Sequence, residues 1–280
     1  MNCKSLWENV GPIVLSALSI FISFCLLHFF AKLLNPSWTL LASRGICKVA
    51  FVTMVIIQVV LLLGIQTRNF LNKFLKTNFY FFKEKGWFKQ FATYFILFFF
   101  FHAVVLSVFY FSGYAFYNSN WGMWSFSLIA RIIFGLIVVF LLAWTEELIF
   151  RGTLFPYFEQ TFSTPVSVLI TSFIFMLVHD LTGPWRLLTI NLKMGIGLFL
   201  LGLLLNVVFA GTRKLYVGMG IHAGLVFVKV ILRRVPFIQF VDQSQWSWWV
   251  NKDLRQSIFV HILFMLVILF FVRVHQKKLV

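Results

Sequence analysis

Acidic residues are scarce in this chain, and so are polar stretches. Its 280 residues include 8 Asp and Glu against 24 Lys and Arg, and only 11% of all residues are charged. At 61% hydrophobic residues, the chain carries more apolar surface than a soluble domain can bury. It has no long polar segment that could form a second, soluble domain. We therefore expect one integral membrane domain over residues 1–280.

Cysteine is also scarce, with three residues and no CxxC pair. This excludes a disulfide framework and a metal site built from thiolates. The net charge of +16 could indicate nucleic-acid binding, but no RNA-binding motif accompanies it. In a chain of membrane spans, Lys and Arg instead anchor cytoplasmic loops against anionic lipid. The expected partners are membrane lipids and not nucleic acid.

Long apolar runs make up most of the sequence. Their lengths predict an all-α fold, a polytopic transmembrane bundle of about eight helices. The predicted spans are 11–34, 45–65, 91–112, 125–150, 166–181, 194–212, 215–232 and 258–274. The N-terminus is weakly charged and further spans follow the first run, which indicates a membrane helix and not a cleaved signal peptide.

Lys and Arg are distributed unevenly between the two sides of such a bundle. With the N-terminus inside, 13 of them fall on the inside and 10 on the outside. The connection 113–124 carries no charge and is therefore expected outside. This orientation places both termini in the cytoplasm and directs the span 125–150 toward the cytoplasmic face.

Two connections are rich in aromatic residues. The segment 67–90 alternates aromatics with Lys and Arg, which is typical of an amphipathic helix on the membrane surface. The segment 233–256 carries Trp246, Trp248 and Trp249, which predicts anchors at the membrane interface.

Two of the few acidic residues are adjacent, Glu146 and Glu147, at the end of an apolar run. Ionisable groups inside the hydrocarbon cost on the order of a few kcal/mol each and are candidates for function. On a helix, Glu147 and Arg151 are four residues apart, so they share a face and can form an ion pair. Glu146 is turned from Glu147 by about 100° and is left available. The alternative is a charge cluster at a helix end without a catalytic role.

Two histidines lie in other predicted spans, His179 and His222. Either one alone is more typical of a satisfied core residue. Together with Glu146 they favour a hydrolytic site of one of two kinds. A divalent metal held by all three could activate water, or a metal-free site could use Glu146 as base and a histidine as proton or hydrogen-bond donor. The other histidines have no acidic residue nearby in sequence and are interpreted as polar spots in helices (His28, His102) or as residues near the interface (His261, His275).

These motifs resemble those of a known family when they are taken in order. They are EExxxR (Glu146, Glu147, Arg151), then FxxxH (Phe175, His179), then a third histidine (His222). This order and spacing, within apolar helices over residues 125–230, is similar to the catalytic core of the CPBP family. That family, also called Abi, contains CAAX prenyl proteases and bacteriocin-processing intramembrane proteases with an eight-helix fold.

The resemblance implies a role for each matched residue. Glu146 would be the general base that activates water, and His179 would assist it or ligate a metal. His222 would help to hold the oxyanion, while Glu147 and Arg151 would shape the site. The implied activity is an intramembrane endopeptidase that cuts a membrane-delivered peptide or protein, prenylated or carrying a leader. The implied location is a bacterial cytoplasmic membrane, and the cofactor is left open between zinc and none.

One position departs from the family pattern. The third motif normally has Asn or Asp four residues after its histidine, and this chain has Val226 there. Valine offers no hydrogen-bond donor, and loss of one oxyanion donor costs about 10²–10³ in rate. Asn206 or Asn191 could replace it only if packing brings either one close. The alternative function is therefore a catalytically impaired relative that acts as an immunity or regulatory factor. A proton-relaying transporter is a third class, but no symmetric pair of broken helices supports it.

The predicted spans place the three site residues at different depths in the membrane. If the span 166–181 runs inward to outward, His179 lies about 20 Å from the cytoplasmic end. Glu146 and His222 are expected at shallower depth. Helix tilt, a later helix start or a deep cavity would bring the three together.

Overall fold

The computed structural model describes residues 80–119, 126–180, 184–234, 237–241, 249–251 and 253–276. All of them lie in one compact unit, Tyr80–Val280. The predicted spans 11–34 and 45–65 and most of the segment 67–90 lie outside the described residues. The count of eight spans and the single domain over 1–280 therefore stay predictions.

The described part of the chain is mainly helical. Its α-helices are α1 (Trp87–Phe111), α2 (Phe126–Ile149), α3 (Phe155–Phe158), α4 (Thr164–Leu177), α5 (Leu192–Thr212), α6 (Leu215–Arg234) and α7 (Ile258–Val274). A π-helical segment, Phe150–Leu154, joins α2 to α3, and 3-10 turns lie at Tyr80–Lys83, Val178–Asp180, Pro184–Leu187 and Leu254–Gln256. Each predicted span from 91 onward coincides with a helix to within a few residues, except that the helical run of the span 125–150 continues to Phe158.

Four helical runs within these ranges are long and apolar enough to cross a membrane. They are Trp87–Phe111, Leu128–Phe158, Leu192–Thr212 and Leu215–Leu232. The helices α4 and α7 are apolar but shorter. Helix is the expected state of such runs because it satisfies every backbone group without water.

The run that begins with α2 is longer than its sequence indicated. The predicted span ended at residue 150, where Arg151 and Gly152 interrupt the apolar letters. In the structure the helix continues through the π segment and α3 to Phe158. The glutamate pair therefore lies about 12 residues, or about 18 Å, before the end of this run and not at its end.

The helices α5 and α6 form the centre of the described bundle. α6 packs on both α1 and α2, while α5 packs on α4 and α7. Glycines allow α6 to approach α1 closely, since a Cβ at Gly220 or Gly224 would lie 2.5 Å from the carbonyl oxygen of Phe91 or Phe95. Small residues four apart are a common device for close helix packing in membranes. This packing fixes the helix that carries His222.

A short β-ribbon was not predicted from the sequence. Strand β1 (Ala115–Tyr117) pairs antiparallel with β2 (Ile238–Phe240), with Ala115 opposite Phe240. It ties the chain after α1 to the chain after α6. Of the predicted tryptophan anchors, Trp249 is described and packs edge-on against Tyr114 and Phe259. Trp246 and Trp248 lie outside the described residues.

Candidate active site

The structure brings together three predicted site residues that are far apart in sequence. Glu146 lies in the last turn of α2, His179 in the 3-10 turn after α4, and His222 in the second turn of α6. The Oε2 atom of Glu146 is 3.7 Å from Nε2 of His179 and 3.7 Å from Nε2 of His222. Both separations exceed hydrogen-bond length. Among the described residues, this buried oxygen has no hydrogen-bond partner.

Glu146 and His179 lie at similar distances from the neighbouring ends of their helices. α4 begins at Thr164, so His179 lies about 22 Å along the chain from that helix start. Glu146 lies about 18 Å before the end of its own run at Phe158. The extra length of the α2 run therefore allows the two side chains to meet, and no later start of α4 is needed.

Each histidine is fixed by a hydrogen bond at its other ring nitrogen. Nδ1 of His179 lies 2.6 Å from the carbonyl oxygen of Phe175, and Nδ1 of His222 lies 3.2 Å from Oε1 of Glu147. Both acceptors lack a proton, so Nδ1 carries the hydrogen in each ring. The two Nε2 atoms are therefore the ones that face Glu146. A second partner of this kind sets both the tautomer and the direction of a histidine.

Glu147 forms the ion pair that the spacing predicted. Nη1 of Arg151 donates to Oε1 of Glu147 over 3.1 Å, and both side chains are fully buried. Arg151 also donates through Nε to Oδ1 of Asn206 at 2.8 Å and through Nη2 to the carbonyl oxygen of Gly202 at 3.0 Å. Its charge is tolerated in the core because an anion and two neutral acceptors surround it.

Phe175, the first residue of the FxxxH motif, separates these two groups. Its ring centroid lies 4.4 Å from the His179 ring and 5.0 Å from Cζ of Arg151. The guanidinium over the ring is a cation–π contact, which is strongest where water is excluded. Phe175 thus packs between the buried ion pair and the more exposed histidine.

Asn206 does not lie where an oxyanion donor would be needed. Its Oδ1 accepts from Arg151, and its Nδ2 donates to Oγ of Ser172 at 2.8 Å and to the carbonyl oxygen of Val168 at 3.3 Å. Both the oxygen and the nitrogen of its amide are therefore engaged by neighbouring groups. Asn191 precedes α5 and is exposed. Neither asparagine replaces the donor missing at Val226.

Other described histidines make separate contacts. Nδ1 of His102 lies 2.8 Å from the carbonyl oxygen of Leu225, and Nε2 of His261 lies 2.8 Å from that of Arg255. His275 stacks on Phe271. His102 and His261 are buried. The packing of α7 on α5 buries His261, and its expected position near the membrane interface stays a prediction. His28 lies outside the described residues.

Glu146, His179 and His222 are the residues expected to hold a metal ion. Within the described ranges, no three His, Cys, Asp or Glu side chains are arranged as a metal-binding group. The separations of 3.7 Å between Glu146 Oε2 and each histidine nitrogen are close to the distance of about 3.4 Å between two ligand atoms of a tetrahedral zinc ion. The expected metal ligands therefore stay a prediction, and we derive no chemical step through a metal.

Comparison with protein-family models gives a match over part of the chain. Residues 129–228 match the model of the Rce1-like family, described as type II CAAX prenyl endopeptidase Rce1-like. No curated protein and no solved structure matches the chain. The matched region contains the EExxxR motif, the FxxxH motif and His222, and it lies within the predicted core 125–230. Residues 129–228 of this integral membrane chain are therefore similar to the Rce1-like family of type II CAAX prenyl endopeptidases, and the predicted resemblance to the CPBP family is confirmed.

Proposed function

We propose that the chain is an intramembrane endopeptidase in which Glu146 activates the attacking water. One observation carries the proposal: Oε2 of Glu146 is buried, has no hydrogen-bond partner among the described residues, and lies 3.7 Å from two histidine nitrogens. A gap of this size between polar atoms fits a bridging water. Such a water would be held by the base that deprotonates it.

The proposed reaction needs only these side chains, water and a peptide bond. Glu146 takes a proton from the water, and the oxygen attacks the carbonyl carbon to form a tetrahedral intermediate. The histidine His222, when protonated at Nε2, donates to the developing oxyanion. The C–N bond then breaks, and the proton taken by Glu146 passes to the leaving amine with the help of His179. The products are a carboxylic acid and an amine.

Glu147 and Arg151 support this reaction without touching the substrate. Oε1 of Glu147 accepts from both His222 and Arg151, so one buried carboxylate oxygen fixes the ring and neutralises the guanidinium. Removal of a buried counter-ion is costly. Their role in the proposal is to hold His222 in one direction.

The proposed substrate is a membrane-associated peptide or protein, prenylated or carrying a leader sequence. The matched family is named for prenyl endopeptidases. Large apolar side chains cover the exposed faces of α1 and α2, including Phe100, Phe111, Phe126 and Phe134. Such faces are suited to lipid and to lipid-anchored substrates. We further propose a bacterial cytoplasmic membrane, with both termini in the cytoplasm.

A second function is favoured by one specific observation. Val226 lies one turn after His222 and offers no donor, and Asn206 is occupied by Arg151 and Ser172. With one oxyanion donor fewer, a slower reaction is expected. The alternative is therefore a catalytically impaired member of the fold that acts as an immunity or regulatory factor.

The experiment that tests the proposal is peptide cleavage by the full chain in lipid vesicles. Substrates are a prenylated C-terminal peptide and a leader-type peptide. We expect Glu146→Gln and His179→Gln to lower kcat by about 10²–10⁴ because each removes a proton-transfer group. The matched control is Thr171→Val, which removes a buried hydroxyl that has no partner among the described residues and should leave kcat unchanged.

Two outcomes would contradict the proposal. An unchanged kcat in Glu146→Gln would remove Glu146 as the base. Absence of cleavage by the unaltered chain with both substrates would favour the immunity or regulatory function. Because no proposed step uses a metal, we expect a chelator to leave kcat unchanged. Loss of activity on chelation, restored by zinc, would instead establish a metal mechanism.

A further inference from the structure

Asn206 is a fully buried polar residue in the middle of α5, and it belongs to none of the matched motifs. A buried amide without partners costs free energy, and in a membrane helix it is a candidate for function or for fixing neighbours. Its contacts lead in two directions, to Arg151 in the π segment and to Ser172 in α4. Asn206 therefore connects the π segment, which follows the two glutamates, to α4, the helix that ends just before His179.

The orientation of the Asn206 amide follows from its neighbours. Nε of Arg151 can only donate, so the atom that faces it at 2.8 Å is the amide oxygen. The amide nitrogen then faces two acceptors, Oγ of Ser172 at 2.8 Å and the carbonyl oxygen of Val168 at 3.3 Å. Oγ of Ser172 donates in turn to the same carbonyl at 2.6 Å. Every partner has the complementary role, so the amide has a single orientation.

Asn206 and Gly202 together determine the direction of the Arg151 guanidinium. They lie one turn apart on α5 and accept from Nε and Nη2 of Arg151. A guanidinium is a rigid, planar fork, so fixing two of its nitrogens also fixes the third. That third nitrogen, Nη1, donates to Oε1 of Glu147 at 3.1 Å. The position of the Glu147 carboxylate thus depends on an acceptor on α5.

Glu147 in turn fixes the orientation of the His222 ring. Its Oε1 also accepts from Nδ1 of His222 at 3.2 Å, which directs Nε2 of His222 toward Glu146. A Cβ at Gly218 would lie 2.7 Å from Oε2 of Glu147, so the carboxylate has little room to move. A change at Asn206 is therefore transmitted through two side chains to His222.

We propose that Asn206 is a positioning residue that orients His222 through Arg151 and Glu147. This inference rests on the proposed function of Glu146, His179 and His222. Asn206 touches no reacting atom. It supplies the acceptor without which Nε of Arg151 is buried and unsatisfied, and a displacement of about 1 Å in a catalytic group costs about 10²-fold in rate.

The test compares Asn206→Leu with the control Thr171→Val, in the full chain in lipid vesicles. Leucine fills a similar volume but offers no acceptor to Arg151. We expect Asn206→Leu to lower kcat by about 10–100-fold while KM changes by less than about twofold, because orientation and not substrate binding is lost. Ser172→Ala is the milder variant, since Asn206 keeps Arg151 and Val168. We expect it to lower kcat about two- to fivefold, and it carries the test if Asn206→Leu does not fold.

A double-mutant cycle separates positioning from a general effect on the fold. If Asn206 acts through Glu147, the combined variant Asn206→Leu, Glu147→Gln loses much less activity than the product of the single losses. Full multiplication of the two losses would overturn the inference. An unchanged kcat in folded Asn206→Leu would also overturn it.

A second measurement works without any substrate. The chain has 6 histidines, so ¹⁵N-imidazole labelling gives few signals, and His222→Gln identifies the one from His222. We expect Asn206→Leu to shift the His222 Nδ1 signal and Thr171→Val to leave it in place. A shift in a chain that cleaves no peptide would support the positioning role and reject the proposed protease. An unmoved signal would reject the positioning role, whatever the cleavage assay gives.

Discussion

The two neighbouring glutamates of α2 have different surroundings. Glu147 is fully buried, and its Oε1 accepts from Arg151 and His222, while its Oε2 has no hydrogen-bond partner among the described residues. The Glu146 side chain is 19% exposed, and its Oε2 has no hydrogen-bond partner among the described residues. One carboxylate is tied into the core, and the other is left available beside two histidines. A one-residue step along a helix, about 100° of rotation, is enough to separate structural support from proposed chemistry.

The largest effect on stability is expected when the Glu147–Arg151 ion pair is broken. Arg151→Met removes the guanidinium and leaves the Glu147 carboxylate, Asn206 Oδ1 and Gly202 O without their donor. Breaking a buried ion pair by removing one partner costs about 3–5 kcal/mol. We expect the free energy of unfolding in mixed detergent micelles to fall by about that amount, with loss of cleavage.

The matched control for this prediction is the double variant Glu147→Leu, Arg151→Met. It removes both charges, so its loss of unfolding free energy should be smaller than the sum of the two single losses. Additive losses would mean that the pair contributes nothing as a pair. A stability of Arg151→Met equal to that of the unaltered chain would remove the distinction between the two glutamates.

The sequence allowed part of this arrangement to be predicted. The Glu147–Arg151 pair follows from a spacing of four residues, and the helices follow from long apolar runs. The contact between Arg151 and Asn206 joins residues 55 apart in sequence, and no local pattern encodes it. The true end of the α2 run was hidden because Arg151 and Gly152 interrupt its apolar letters, while packing neutralises that charge. The strands β1 and β2 have three residues each, too short for a periodic signal.

The site around Glu146 lacks the oxyanion donor that the family pattern has at the position of Val226. Val226 is four residues after His222 and therefore on the same face of α6. Val226→Asn places an amide donor there, and one oxyanion donor is worth up to about 10²–10³ in rate. We expect kcat for peptide cleavage to rise about tenfold, since the donor is added to a site packed around valine. Val226→Ala is the control, because it relieves volume without adding a donor. An equal gain in both variants would attribute the effect to space.

Asp253, which lies before α7, is the centre of a partly exposed charge cluster that contrasts with the buried pair. Asp253 accepts from Arg255 through Nε at 3.0 Å and Nη2 at 2.7 Å, and from Nζ of Lys229 at 3.0 Å. Its side chain is 22% exposed. Burial opposes its ionisation, but the hydrogen bonds and charge of Arg255, followed by the charge of Lys229, outweigh burial. They hold the pKa of Asp253 well below its ordinary value.

This cluster should contribute less to the free energy of unfolding than the buried pair, and its contribution should depend on pH. Because the folded pKa is depressed, its stabilisation is present above the unfolded pKa of about 3.9 and is lost as pH falls below that value. We expect Asp253→Asn to lower the free energy of unfolding at neutral pH by about 1 kcal/mol, because the pair is partly exposed. As the pH falls from about 4 toward the depressed pKa of the folded state, the variant and the unaltered chain should converge. Unfolding curves measured across this pH range test the prediction. A difference in unfolding free energy between the variant and the unaltered chain that does not change with pH would contradict the assignment to Asp253.

The smallest effect on stability is expected at Glu146 itself. Glu146→Gln keeps the shape of the side chain and removes a charge whose buried oxygen has no hydrogen-bond partner among the described residues. Nothing comparable to the Glu147–Arg151 pair is lost, so the free energy of unfolding should be unchanged or higher by up to about 1 kcal/mol. The same variant is expected to lose cleavage, which separates activity from stability at a single position. Unfolding in mixed micelles, measured beside Arg151→Met, gives the comparison directly. A loss of about 3 kcal/mol or more in Glu146→Gln would mean that Glu146 is as firmly tied into the core as Glu147, and its availability for water activation would have no structural basis.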